Sequence, residues 1–209
     1  MNTAGLTFFA IAAVAMLTDW WAVSSGRLHV ERIAKPSVMV ALVAAAVVID
    51  MEPSALRPWI IAALVGGLIG DVMLLPEVDR FLFGLGAFLC GHLCYVVAFS
   101  LDWNPGWLIA AGLVGLAAMV AAAGVPILRA VASTAMFVPV AAYFAVSIAV
   151  VLVAAASGRW LLFAGALTFA TSDSILGHDR FVDPDADHRT AVHVTYHLGQ
   201  AAIVLGTLP

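Results

Sequence analysis

The stretch GGLIGDVMLLPEVDRFLFGLGAFLCGHLCY, residues 66–95, reads as two apolar helices joined by a short acidic turn. Asp71 falls near the end of the first helix, and His92 and Tyr95 fall in the middle of the second. An ionisable side chain at the centre of an apolar span costs roughly 2.5–3.5 kcal/mol on insertion scales, so it persists where it pairs, lines a cavity or does chemistry. A second stretch follows the same logic: TFATSDSILGHDRF (residues 168–181), a polar loop, then HVTYHLGQAAIV (residues 193–204). Asp173 stands where Asp71 stands, and His193 with Tyr196 reproduces the His-x-x-Tyr spacing of His92 with Tyr95. From acid to histidine is 21 residues in the first copy and 20 in the second, a weak internal repeat whose costliest members are two carboxylates.

Composition places the whole chain in lipid. With 64% hydrophobic and 11% charged residues and a mean hydropathy of +1.07, a chain of 209 residues is an integral membrane protein in a single membrane domain, and the bilayer is its first partner. A net charge of −4 offers no basic face for phosphate backbones, so nucleic acid is excluded as a partner. Cys90 and Cys94 lie one turn apart on one helix, poorly placed to bond each other, and read as small apolar helix residues.

About 20 apolar residues cross the hydrocarbon layer, and eight segments approach that length. They run from about 5 to 23, 37 to 49 (borrowing Ile33 and Ala34), 59 to 75, 81 to 101, 106 to 126, 130 to 156 with a kink expected at Pro139, 160 to 177, and 190 to 208. The fold expected is all-α, a polytopic bundle of about eight transmembrane helices with a weak parallel 4+4 repeat. The odd-numbered loops hold Arg27, Arg32, Lys35, Arg80, Arg129, Arg180 and Arg189, and the even-numbered ones only Arg57 and Arg159. That bias predicts cytoplasmic odd loops, both termini outside, and the polar groups in the cytoplasmic half of a multi-pass inner membrane protein.

The ordinary readings of these residues are packing and anchoring. Lys35 at a helix end is expected to snorkel to the headgroups, the six tryptophans at span ends to anchor the interface, and the glycines of the first stretch to let helices approach. The run Asp183–His188 imitates the start of a calcium loop, but His188 stands where glycine is needed, so it reads as a solvated loop.

Gly70-Asp71 followed by Leu74, Phe81, Gly84, Phe88, His92 and Tyr95, then Phe169, Ser172-Asp173, Leu176 and Phe181, then Tyr196 and Gln200, with Lys35-Pro36 upstream, resembles the YhhN-like family of membrane proteins. The resemblance covers about residues 35–205. That family includes lysoplasmalogenases, which hydrolyse the vinyl ether of a lysophospholipid to a fatty aldehyde and a glycerophospho-headgroup, so the resemblance implies catalytic roles for Asp71 and Asp173.

The chemistry fits the residues independently of the family. Cleavage of a vinyl ether needs an acid to protonate the alkene carbon and a carboxylate to stabilise the oxocarbenium ion or take a proton from water, the division of labour seen in paired-carboxylate glycosidases. His92, Tyr95, Ser172, Tyr196, His197 and Gln200 are candidate supporting groups, and Lys35, Arg180 and Arg189 are placed to meet the phosphate. No cofactor is expected. Two other classes also use intramembrane acids: a small-molecule or proton-coupled transporter, and a metal-dependent lipid hydrolase drawing ligands from His92, His193, His197, Asp71 and Asp173. No compact ligand motif favours the last, and the one-sided polar groups disfavour the first.

Overall fold

The computed structural model describes residues Met1–Pro209 as eight helices and their connections. They are α1 (Thr3–Ser24), α2 (Leu28–Val48), α3 (Arg57–Met73), α4 (Phe81–Ser100), α5 (Leu108–Val131), α6 (Phe137–Ala156), α7 (Trp160–Phe181) and α8 (Arg189–Gly206). The hairpins α1–α2, α3–α4 and α7–α8 are the most closely packed, α4 packs against α6 rather than its sequence neighbour α5, and α8 closes the bundle against α1 and α2.

Six of the eight helices are long and apolar enough to cross a membrane: α1, α3, α4, α5, α6 and α7, with α3 counted from its leading turn at Ser54. The expectation of about eight spans is met in helix number, while α2 and α8 fall short in apolarity. The reason is local. Helix α2 carries Glu31, Arg32 and Lys35, and α8 carries His193, Tyr196, His197 and Gln200, most of them buried inside the bundle. Around them the outer surface is apolar, with Ile11, Val14, Ile33, Val40, Ile69, Phe83, Val114 and Val138 all exposed, as suits lipid contact.

Three boundaries differ from expectation. The basic stretch 26–36 is not a turn: α2 begins at Leu28 and runs through Pro36, forgoing one backbone bond to the Arg32 carbonyl. Gly124-Val125-Pro126 does not end the fifth helix. A wide π-helical turn at Val120–Gly124 accommodates the proline and the helix continues to Val131. Pro139 makes no kink in the sixth helix, because α6 starts at Phe137 and leaves the proline in the first turn, where no backbone N–H is needed.

Side-chain ties identify the two ends of the bundle. At one end Arg180 of α7 reaches Asp79 in the α3–α4 turn (3.9 Å), and Arg189 of α8 bonds Glu31 at the start of α2 (2.6 Å). At the other, Arg159 bonds Asp102 (2.5 Å) and the carbonyl of Leu208 (2.8 Å), and the Glu52 N–H donates to the Thr207 carbonyl (2.9 Å). The acids lie toward the first end.

Hairpins α3–α4 and α7–α8 are closed in the same way, by backbone against backbone. A Cβ on Gly91 would meet the Ala63 carbonyl oxygen at 2.9 Å, and one on Gly199 would meet the Phe169 nitrogen at 2.8 Å. Only glycine permits that approach at either crossing.

Candidate active site

Both acids face one cavity of about 330 Å³, lined from α2, α3, α4, α7, α8 and the α7–α8 loop. Its walls are charged and polar: Glu31, Lys35, Asp71, Ser172, Asp173, Asp179, Arg180, Asp187, Arg189, His193 and Tyr196, against few apolar groups such as Leu74, Phe88 and Leu176. Beside it lies a narrower apolar slot of about 60 Å³ between α4, α5, α6 and α7, lined by Phe81, Leu85, Ile127, Val140, Phe144 and Phe181 among others. Leu74, Phe88, Asp173 and Leu176 border both spaces, and Asp173 is the charged group among them.

Asp71 is fully buried and has a cation. Lys35 Nζ lies 3.5 Å from Oδ1, and the Tyr196 hydroxyl donates to Oδ2 at 3.0 Å. A carboxylate out of water is tolerable when paired and hydrogen-bonded, and Asp71 is both. Lys35 is itself buried, so it does not snorkel to the headgroups as its position near a supposed helix end suggested. Because α2 starts a full turn and more before it, Lys35 points into the bundle and its ammonium is committed to Asp71.

Asp173 has a histidine instead. His92 Nε2 lies 3.2 Å from Oδ2, at an angle that falls short of a hydrogen bond. The other ring nitrogen, Nδ1, is 2.9 Å from the Phe88 carbonyl, which can only accept, so Nδ1 carries a proton. Nε2 is therefore the ring nitrogen that faces Asp173. Tyr143 stands beside the same carboxylate and packs on the His92 ring, with centroids 4.9 Å apart. Phe169 covers the other side of His92 at 4.7 Å.

The remaining sequence candidates separate into those at the cavity and those behind it. Tyr196 touches Asp71 directly, and Ser172 lines the cavity while its hydroxyl donates to the Val192 carbonyl, tying α7 to α8. Arg180 and Arg189 line the mouth, Arg180 stacked over the Phe81 ring at 4.9 Å. Tyr95 does not reach either acid; it donates to Gln200 Oε1 (2.5 Å), and the two form a buried pair deeper in the bundle. His197 also lies away from the acids, accepting the Trp20 indole N–H at Nδ1 (3.1 Å). Trp20 is thus turned inward, while Trp21, Trp59, Trp103, Trp107 and Trp160 are exposed as anchors would be.

Four residues in or against the cavity wall were not singled out from sequence as site residues. Tyr143 lies in a span whose one other polar side chain is Ser147. Glu31 and Asp19 sit near helix ends, where acids are unremarkable, and His193 was read only as part of the repeat and of a ligand pool. The histidines and acids of that pool are distributed over separate partners, and no three His, Cys, Asp or Glu side chains converge as a metal-ligand set.

A helical bundle with six candidate membrane spans and a polar cavity faced by two aspartates defines a polytopic membrane protein with charged groups inside its bundle. The YhhN family model matches residues 30–207, and the chain belongs to that family. No curated protein and no solved structure matches it significantly.

Proposed function

We propose that the protein is a membrane-embedded hydrolase that cleaves the vinyl ether of lysoplasmalogen-type lysolipids to a fatty aldehyde and a glycerophospho-headgroup. The position of Asp173 carries this reading: it stands where a charged cavity meets an apolar slot, with His92 behind it. A lysolipid divides in the same way, its phosphate and glycerol on one side of the ether oxygen and its hydrocarbon on the other. The headgroup lies toward Arg180 and Arg189, and the first carbons beyond the ether lie in the slot. Family membership supports the same activity.

Asp173 delivers the proton. The Asp173–His92 pair can hold a proton and pass it to the terminal alkene carbon, leaving an oxocarbenium ion shared between carbon and oxygen. Asp71, paired with Lys35 and bonded by the Tyr196 hydroxyl, is already in place to stabilise that cation. Water adds to the cation, and the hemiacetal collapses to aldehyde and alcohol. The carboxylates thus divide the acid and electrostatic roles as environment dictates. The excess of basic residues in the odd loops supports a cytoplasmic location for the cavity end and extracytoplasmic termini.

The test is direct. Purified protein incubated with a vinyl ether lysolipid should release aldehyde, with one solvent deuteron on its second carbon when the reaction is run in heavy water. Label from isotopic water should enter the aldehyde oxygen and not the alcohol. Release of alcohol bearing the solvent oxygen, or no release from vinyl ethers alongside release from ester lysolipids, would overturn the reading.

A further inference from the structure

A second carboxylate–imidazole pair stands in the wall of the cavity. His193 lines the cavity from α8, and its Nδ1 lies 2.7 Å from Oδ2 of Asp19, a fully buried side chain from α1. A carboxylate held there accepts a hydrogen bond from Nδ1–H, which fixes the imidazole tautomer and leaves the Nε2 lone pair free. Nε2 makes no hydrogen bond of its own. Its nearest charged neighbour, Glu31 Oε1, is 3.9 Å away, too far to bond, and that oxygen already accepts from Arg189 at 2.6 Å. Nor is Nε2 among the enclosed polar atoms without partners, so it opens on the cavity. Asp19 lies before residues 30–207, so the family match does not extend to it.

We propose that His193 is the base that takes a proton from the attacking water, with Asp19 as its positioning residue. The inference rests on the vinyl ether reading. The water oxygen bonds the cationic carbon as one water proton passes to His193 Nε2, giving the hemiacetal. His193 then returns that proton to the departing glycerol oxygen as the carbon–oxygen bond breaks, and the hemiacetal hydroxyl proton restores Asp173. One water is consumed, and each side chain ends as it began. The arrangement separates the two proton transfers between two imidazole–carboxylate pairs on different helices.

His193→Gln tests this, because losing the water base leaves carbon protonation intact and blocks capture. Turnover should fall on the order of a hundredfold with KM nearly unchanged. In heavy water, the cation that fails to be captured returns a proton, so unreacted substrate recovered from His193→Gln should carry deuterium on the alkene carbon, and substrate recovered from the native protein should not. A slow variant whose recovered substrate carries no deuterium, or a variant within about threefold of native turnover, overturns the proposal. A substrate-free arm keeps it separate from the activity reading. Side-chain nitrogen NMR of the histidines should show His193 with Nδ1–H in the native protein and with Nε2–H in Asp19→Asn, whose amide can donate to Nδ1. Nε2–H in the native protein overturns the dyad whatever the substrate proves to be, whereas a native protein that releases no aldehyde but shows Nδ1–H overturns the vinyl ether reaction and the base role assigned within it, and leaves the dyad geometry established.

Discussion

Asp71 and Asp173 occupy equivalent places in sequence and different places in chemistry. Each follows a small residue, Asp71 in the last turn of α3 and Asp173 more than two turns before the end of α7, and each helix crosses its partner on glycine. Asp71 is sealed between a lysine and a tyrosine, whereas Asp173 is partly open, faces a histidine and borders the apolar slot. The first environment pairs the carboxylate with a cation. The second sets it beside an imidazole. The difference comes from the partners that other helices bring, α2 and α8 for Asp71, α4 and α6 for Asp173.

The most severe break in the comparison is removal of either carboxylate. Asp173→Asn should lose on the order of a thousandfold in kcat, the middle of the range for a general acid, and Asp71→Asn on the order of a hundredfold. The double variant should be little worse than Asp173→Asn alone, since both act on one transition state. Single-turnover aldehyde release measures all three; equal losses for the two single variants would erase the functional difference drawn here.

Stability separates the acids next. Lys35→Met strands a buried carboxylate and should cost roughly 3–5 kcal/mol, seen as a large drop in thermal unfolding temperature in detergent. Adding Asp71→Leu should restore most of it. His92→Gln, which leaves a carboxylate that the cavity can hydrate, should cost activity far more than stability.

The glycine crossings should respond alike. Gly91→Ala and Gly199→Ala each force a methyl into backbone, and each should lose about 1–3 kcal/mol by the same unfolding measurement. A loss at only one would show that the two hairpins are less equivalent than their geometry.

The smallest effect lies outside the membrane spans. His188, exposed in the loop before α8, is hydrogen-bonded by Asp179 at 2.8 Å, and that bond, with the charge of the same carboxylate, raises its pKa above the ordinary histidine value. A raised folded-state pKa contributes stability that is complete below the ordinary value and disappears as pH rises through the raised one. Proton NMR titration should place His188 above the ordinary value in the native protein and near it in Asp179→Asn.

The acids were legible in the sequence because a carboxylate in an apolar span is itself the signal. Their partners were not, because each arrives from a helix remote in sequence: Tyr196 stands 125 residues from Asp71, and Asp19 stands 174 from His193. Lys35 was misplaced because Pro36 and three charges imitate a loop, although a helix can absorb one proline when its neighbours hold it. Tyr143 gave only a faint pattern, since one other hydroxyl, Ser147 a turn further on, is all that marks its face among valines and alanines. The family resemblance rested on residues of which several, Lys35, Asp71, Ser172, Asp173 and Tyr196 among them, line the cavity, and the matched region confirmed membership while leaving α1 outside it.

The ties at the far end of the bundle bear on how material can move. Arg159 spans the α4–α5 loop, the start of α7 and the C-terminal carbonyls, and Glu52 joins the α2–α3 loop to Thr207. A carrier would have to undo this latch on every cycle to expose the acids to the opposite compartment, forfeiting a charge-assisted bond and several backbone bonds each time. A one-mouthed vessel needs no such stroke. Proteoliposomes should accordingly show chemistry without vectorial flux, and loosening the latch with Arg159→Gln should soften the protein without granting it a passage.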